Sequence, residues 1–234
     1  ELLPAVVDAQ VHDHGGDGNP PTGAVTVRGR ESLSEIGGAV SGSADHGRRR
    51  GRNSVVLDRE GCFTGAMTDL KTARLQLHAI DVAEAERIVA RSAGPDDFWA
   101  DDFPFEGDLR AVGGFLRASA ERGEQRPFGY YRITRLADGL AIGGGGFKGS
   151  PHGGCVEIGY GLAQSARGNG YAAEAVVALL AIAADNGVSR VLADTVLDNV
   201  ASQRSLIRAG FRLVSTDAEL KHYEAVLVID HRPE

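Results

Sequence analysis

Gln164-Ser165-Ala166-Arg167-Gly168-Asn169-Gly170-Tyr171-Ala172 joins an alternating segment, Cys155–Leu162, to an apolar run, Ala175–Ala184. The alternation predicts a strand, the apolar run a buried helix, and the glycines a turn between them. Successive glycines let backbone amides turn inward, and the helix N-terminus adds its dipole, so the turn is suited to a pyrophosphate. Arg167 adds positive charge at the rim. Two readings follow. In one, Gly168–Ala173 is a dinucleotide fingerprint with Asp194 as its acidic partner, which makes the chain a dinucleotide-binding oxidoreductase. The other depends on what surrounds the turn.

Outward from the turn, Arg74–Ile80 alternates and reads as a strand. Asp81 caps a helix running to about Ser92, with Glu84 placed as in a capping box and Gly94-Pro95 ending it. A second helix is expected from about Asp108 to Arg122. Strands are expected at Phe128–Arg135, Leu140–Lys148 and Cys155–Leu162, and Asp138-Gly139 turns the first of them into the second. Such short connections make an antiparallel meander. The buried helix, Ala172–Asn186, leads to a strand at Arg190–Val196, giving one crossover unit. Asp198 or Asn199 caps a short helix ending at Gly210, and strands at Phe211–Ser215 and Tyr223–Ile229 follow. The expected fold is α/β (α+β): a single mixed, mostly antiparallel sheet flanked by helices. A doubly wound dinucleotide fold needs repeated crossovers, and the sequence offers one.

Three features taken together carry a resemblance: Arg167-Gly168-Asn169-Gly170-Tyr171-Ala172, the strand end Glu157-Ile158-Gly159-Tyr160, and Asn199-x-x-Ser202 ahead of Gly210-Phe211. They resemble the GNAT superfamily of acetyl-CoA-dependent N-acetyltransferases, most closely its RimJ/RimL-like branch. Thr72–Leu77 is similar to that branch's opening strand, and Gly146–Pro151 to its third strand and following turn. The likeness spans about residues 67–230. One position departs from it: where the superfamily carries Gln or Arg ahead of the first glycine, this chain has Ser165, with Gln164 beside it.

The resemblance implies direct acetyl transfer from acetyl-CoA to a primary amine, without metal, and its RimJ/RimL-like branch suggests a protein N-terminal α-amine. It implies that the fourth and fifth domain strands part to admit the pantetheine arm, with backbone groups of Gly159, Tyr160, Gly161 and Leu162 along it. Arg167, Gly168, Asn169, Gly170, Tyr171 and Ala172 would hold the phosphates, with Tyr171 packing on the sheet rather than reacting. Glu157 is the implied general base, or else an ordinary edge charge. Many superfamily members carry an acidic tyrosine four places before the Gly-Phe pair; here Leu206 stands there. Ser202 would serve the departing thiolate instead, and Asn199 would contact the cofactor or simply cap its helix. The acceptor segment Pro95–Phe105 forms either an apolar pocket with an acidic rim, Trp99, Phe103 and Asp101 among its residues, or helix caps with ordinary packing. Gly143–Gly146 lies inside a strand and implies close backbone packing. A rival of a different class is a non-catalytic acyl-CoA-binding or sensing module, motivated by Ser165 and Leu206.

Composition narrows the alternatives. The chain of 234 residues has 32 acidic and 25 basic side chains, net charge −7, and 42% hydrophobic residues, enough for a real core. The acidic balance argues against nucleic acid as the principal partner. No apolar run is long enough to span a bilayer, and no signal-peptide pattern appears. Cys62 and Cys155 provide neither a disulfide framework nor a cysteine zinc site, and a reducing, cytoplasmic setting is expected. A homodimer is common among the relatives implied. Residues 1–66 hold one aromatic, Phe63, and 12 of the 32 glycines. They read as a disordered extension, or as sequence upstream of the true start at Met67, ahead of a domain at 67–234. Neither the basic run Arg48–Arg52 nor the His12-Asp13-His14 cluster is assigned a role.

Overall fold

Leu75, Leu77 and Ala79 are buried while Gln76 and His78 are half-buried, the period-two pattern of a strand with one face on the core. The computed structural model describes residues 69–229 and four short strands, Val6–Val7, Gln10–Val11, Ala24–Val27 and Val55–Val56. Apart from those strands, the boundary expected at residue 67 and the disorder expected of residues 1–66 lie outside the described residues. Within 69–229 the strands are β1 (Asp69–Lys71), β2 (Leu75–Ala79), β3 (Tyr130–Arg135), β4 (Ala141–Phe147), β5 (Cys155–Leu162), β6 (Arg190–Val196), β7 (Arg212–Thr216) and β8 (Leu220–Ile229). The helices are α1 (Val82–Val89), α2 (Glu106–Arg122), α3 (Tyr171–Asp185) and α4 (Val200–Arg208). The short strand β1 has too few residues to show a period and was not expected from the sequence.

The strands run in the order β1-β2-β3-β4-β5-β6-β8. The first half of β8 also pairs with β7, and its second half pairs parallel with Ala24–Val27. Between residues 69 and 229 every pairing of two strands is antiparallel except β5 with β6. The single parallel pair is the one crossover the sequence offers, so the doubly wound alternative is excluded.

α1 starts at Asp81, whose carboxylate accepts the Glu84 N–H at 2.8 Å. Only half of the expected capping box forms: Glu84 turns into the protein instead and pairs with Arg132 at 2.7 Å and His78 at 3.2 Å. The helix ends at Val89 rather than Ser92, and Arg91 follows with a left-handed φ of 51°. α3 is buried from Ala175 to Ala184 and packs against β2, β4, β5 and β8. Each of its large aliphatic side chains contributes about 1.5–3 kcal/mol of burial, which fixes this helix as the centre of the core.

The register of β5 positions the site. It pairs with β6 only at Cys155, Val156 and Glu157, opposite Arg190, Val191 and Leu192. Beyond that point β5 stays with β4 as far as Leu162, and β6 stays with β8 as far as Val196. Each strand keeps its own antiparallel partner, so the sheet opens between them in a wedge. The parting implied for the fourth and fifth strands of the domain falls here, between β5 and β6.

Candidate active site

The phosphate turn is built as the glycines require. Gly168 and Gly170 have φ of 83° and 78°, left-handed values that cost a residue with a Cβ about 1–2 kcal/mol. Gly170 is the N-cap of α3 and brings no side-chain acceptor, so the first-turn amides point to the surface free of a capping group. Gly168, Gly170, Tyr171, Ala172 and the Arg167 side chain line a cavity of about 350 Å³ that continues to Asn199, Ser202, Arg204 and Arg208 on α4. Asn169 does not line it. Its amide instead braces the turn by donating to the carbonyls of Ala166 and Arg167. Uncapped amides beside a cationic, elongated cavity fit the diphosphate and the arm of acetyl-CoA.

A network that local sequence does not reveal holds the turn against the sheet. Glu174, in the first turn of α3, accepts from Thr72 Oγ1 at 2.6 Å and from Arg74 Nε at 2.7 Å. The Arg74 guanidinium also donates to the Asn169 carbonyl and lies 4.7 Å from the centre of the Tyr171 ring. Tyr171 is accordingly a packing residue, clamped between cation and core. Ser165 has a use as well: its N–H and hydroxyl donate to Asp102 at 2.9 and 2.6 Å, tying the entrance of the turn to the segment before α2.

On α4, the Asn199 side chain accepts the Ser202 N–H at 3.1 Å, so it caps the helix while lining the cavity. Ser202 Oγ lies 2.9 Å from the Tyr160 hydroxyl. Burial pushes the Tyr160 hydroxyl up to about 12, against the opposing effect of the Ser202 hydrogen bond. It stays protonated at neutral pH and positions Ser202. Leu206 is fully buried in the core and contributes no proton donor. The Leu162 carbonyl accepts from Arg167 Nε at 3.0 Å and is occupied.

A second cavity, of about 560 Å³, lies between α2 and the glycines of β4 and β5. Gly144 faces Gly161 across the strands, and Gly146 faces Gly159. All four line the cavity. Their missing side chains are what make room: a Cβ on Gly144 would fall 1.9 Å from the Tyr130 hydroxyl, and one on Gly161 would fall 2.6 Å from the Phe105 ring. The close backbone packing expected of Gly143–Gly146 is present: a Cβ on Gly143 would fall 2.3 Å from the Gly161 carbonyl oxygen, and one on Gly146 2.3 Å from that of Gly129. Phe105, Phe115, Phe128, Tyr130 and Phe147 supply apolar walls, and Arg110, Arg122 and Lys148 supply positive charge. Tyr160 and Gly161, on β5 beyond its pairing with β6, line both cavities.

Among the described residues, Asp108 is the only carboxylate lining this second cavity. It accepts the Tyr130 hydroxyl at 2.7 Å and the Phe105 N–H at 3.3 Å, and its residue is 1% exposed. Burial raises its pKa to about 6, opposed by those two hydrogen bonds. The sequence shows Asp108 only as an acidic residue at a helix start, where capping is the ordinary explanation. Glu157 shares a face of β5 with Gly159 and Gly161 but does not line the cavity, and its carboxylate is paired with Lys148.

The acidic rim expected of Pro95–Phe105 is not at this cavity. Asp97 is bound by Arg87 and the Gly94 N–H, and Asp102 by Ser165, so local hydrogen bonds consume both. Trp99 and Phe103 pack edge to face at 5.5 Å, Phe103 is buried in the core, and Trp99 bridges to Ala141. Neither they nor the exposed Asp101 line either cavity; from this segment Phe105 does. Among the described residues no cluster of three metal-ligating side chains occurs, and no helix is long and apolar enough to cross a membrane.

The family model for the acetyltransferase (GNAT) domain matches residues 74–212, from β2 through the phosphate turn and α4 into β7. The chain belongs to the GNAT acetyltransferase family. The GNAT chain is 30% identical over 168 residues to the N-acetyltransferase YjdG of Bacillus subtilis (strain 168), covering 67% of itself and 97% of that protein. A structure assigned to the GnaT acetyltransferases of Bordetella pertussis matches with a TM-score of 0.52 and 27% identity, over 68% of this chain and 100% of that one. The fold is shared with RimL, a ribosomal L7/L12 alpha-N-protein acetyltransferase solved with coenzyme A, at a TM-score of 0.50 and 21% identity over 68% and 97% of the two chains. The protein is thus a GNAT N-acetyltransferase with acetyl-CoA as co-substrate.

Proposed function

We propose that the acceptor is a primary amine, specifically the α-amine of a protein or peptide N-terminus, entering from the α2 side. The observation that carries this is the meeting of the two cavities at Tyr160 and Gly161. One cavity has uncapped helix amides and cations for the acyl donor, and the other has apolar walls and a carboxylate for an amine. An amine and a thioester brought together at one strand end react without a covalent enzyme intermediate, and alignment alone lowers the barrier substantially. Backbone groups of β5 on the side that β6 has left are available to the thioester. Ser202, held by Tyr160, is placed to hydrogen-bond the departing sulfur. A side chain next to the α-amine finds aromatic walls, and the rest of the peptide continues past Arg110 and Arg122 to solvent.

Calorimetry with acetyl-CoA and a thiol-release assay over peptides, polyamines and free amino acids test the proposal. Peptides with free N-termini should release thiol faster than polyamines or N-blocked peptides containing lysine. Equal or greater release with polyamines would overturn the acceptor class. A cytoplasmic setting and a homodimer belong to the same proposal, and sedimentation at micromolar concentration reads the second.

A further inference from the structure

We propose that Asp108 is the catalytic residue that receives the acceptor's ammonium group and takes its proton, with Tyr130 positioning its carboxylate. The inference rests on the α2-side cavity being the acceptor site. Three observations converge on Asp108. Among the described residues it is the only acid lining the cavity, able to draw in a cation and accept a proton. Its two protein hydrogen bonds run to Tyr130 and Phe105. Those are the residues whose rings cover Gly144 and Gly161, the paired positions at the junction of the two cavities. The carboxylate is therefore anchored from both sides next to the place where amine and thioester meet. Two hydrogen bonds leave it further lone pairs for an incoming N–H.

Glu157 is less well placed for this work. It lies outside the cavity lining, and Lys148 already holds its carboxylate. Other charged groups line the same cavity: Arg110 and Arg122 on α2 itself and Lys148 after β4.

An N–H bond of the ammonium breaks and its proton passes to an Asp108 oxygen. The freed lone pair forms the N–C bond to the acetyl carbonyl carbon, and the C–S bond breaks. The further proton lost from nitrogen leaves with the thiolate as thiol, and Asp108 returns its proton to solvent. A base titrating at about 6 is matched to an α-amine, whose ordinary pKa is about 8, far better than to a lysine side chain near about 10. The same residue thus selects the class of amine.

The test compares full-length wild type, Asp108→Asn, Tyr130→Phe and Glu157→Gln by thiol release with an N-terminally free peptide from pH 5 to 9, and acetyl-CoA affinity by calorimetry. Wild type should show kcat/KM falling below about pH 6. Asp108→Asn should lose about a hundredfold or more in kcat/KM, keep acetyl-CoA binding, and lose that acid limb. Tyr130→Phe removes one hydrogen bond that favours the ionised form, so its acid limb should move to higher pH. Should Asp108→Asn fail to fold, which absent acetyl-CoA binding would reveal, the Tyr130→Phe profile decides. An unmoved limb in Tyr130→Phe, or Asp108→Asn activity within threefold of wild type, overturns the proposal. So does a loss in Glu157→Gln that equals or exceeds that in Asp108→Asn. If wild type releases no thiol with any amine, the acceptor reading itself fails, a result distinct from all of these.

Discussion

Asp108 shows at the level of one residue how a reactive group opposes stability. Its carboxyl is buried, accepts two hydrogen bonds, and still titrates near 6 in the folded protein, against an ordinary value of 3.8. The folded state therefore holds this proton more tightly than the unfolded chain does. The stability it contributes is fully present below about pH 4 and is lost as pH rises through about 6, amounting to about 3 kcal/mol. Denaturant unfolding at pH 4, 6 and 8 should show this loss in wild type and a flatter dependence in Asp108→Asn. An identical slope in both proteins would mean that the carboxyl is not strained by burial. The residues supporting it were hidden from local reading because the partners are far apart along the chain. Tyr130 lies 22 residues away, and no periodic pattern links a tyrosine on β3 to an aspartate in the first turn of α2.

At the level of elements, the phosphate turn and the segment before α2 are one mechanical unit. Asp102 accepts from both the N–H and the hydroxyl of Ser165, and those bonds hold its carboxyl below the usual carboxylate range. The departure at Ser165 thus exchanges a long side chain at the turn's entrance for a link across 63 residues. Asp102→Ala should loosen the three-residue 3-10 turn Gln164–Ala166 and weaken acetyl-CoA binding about fivefold by calorimetry. Unchanged affinity would show that the free amides of α3 suffice without the link. Strand and helix types were legible here because each rests on neighbours in sequence: alternation along β5, apolar residues all round α3, Asn199 at the start of α4. For Pro95–Phe105 the sequence left an acidic-rimmed pocket and ordinary capping both open for the converse reason. Asp97 and Asp102 look free in sequence, and only folding supplies Arg87 and Ser165 to them.

Over the whole molecule, the sheet behaves as two halves joined at Cys155–Glu157 and open beyond, with α3 closing one end of the wedge and α2 roofing the cavity on the other side. Every element of this arrangement lies within residues 69–229, and the family model matches 74–212. YjdG and the Bordetella pertussis structure are covered over 97% and 100% of their lengths by about two-thirds of this chain. A protein beginning at Met67 should therefore bind acetyl-CoA within a few-fold of the full chain in calorimetry. Among the described residues it loses the parallel pairing of Ala24–Val27 with the second half of β8, remote from the wedge in the strand order, and the packing of Val55–Val56 against α3. A loss of binding would assign residues 1–66 a part in the folded enzyme.

The sequence by itself determined the order of strands and helices apart from β1, and the glycine turn with its buried helix, while the resemblance of its motifs pointed to the GNAT family. The order and the turn depend on side-chain period, turn conformation and helix caps, all of which act between residues close in the chain. Tertiary structure decided where β5 and β6 separate, which glycines leave room for an acceptor, and which aspartate meets it. Those outcomes depend on strand register and on contacts as distant as Thr72 with Glu174, 102 residues apart. A carboxylate at a helix start carries no local mark of whether it caps the helix, binds an arginine or faces a cavity. Asp108 accepts the Phe105 N–H at its helix start and lines the cavity as well, and only the packing of α2 over the glycines of β4 and β5 adds the second role.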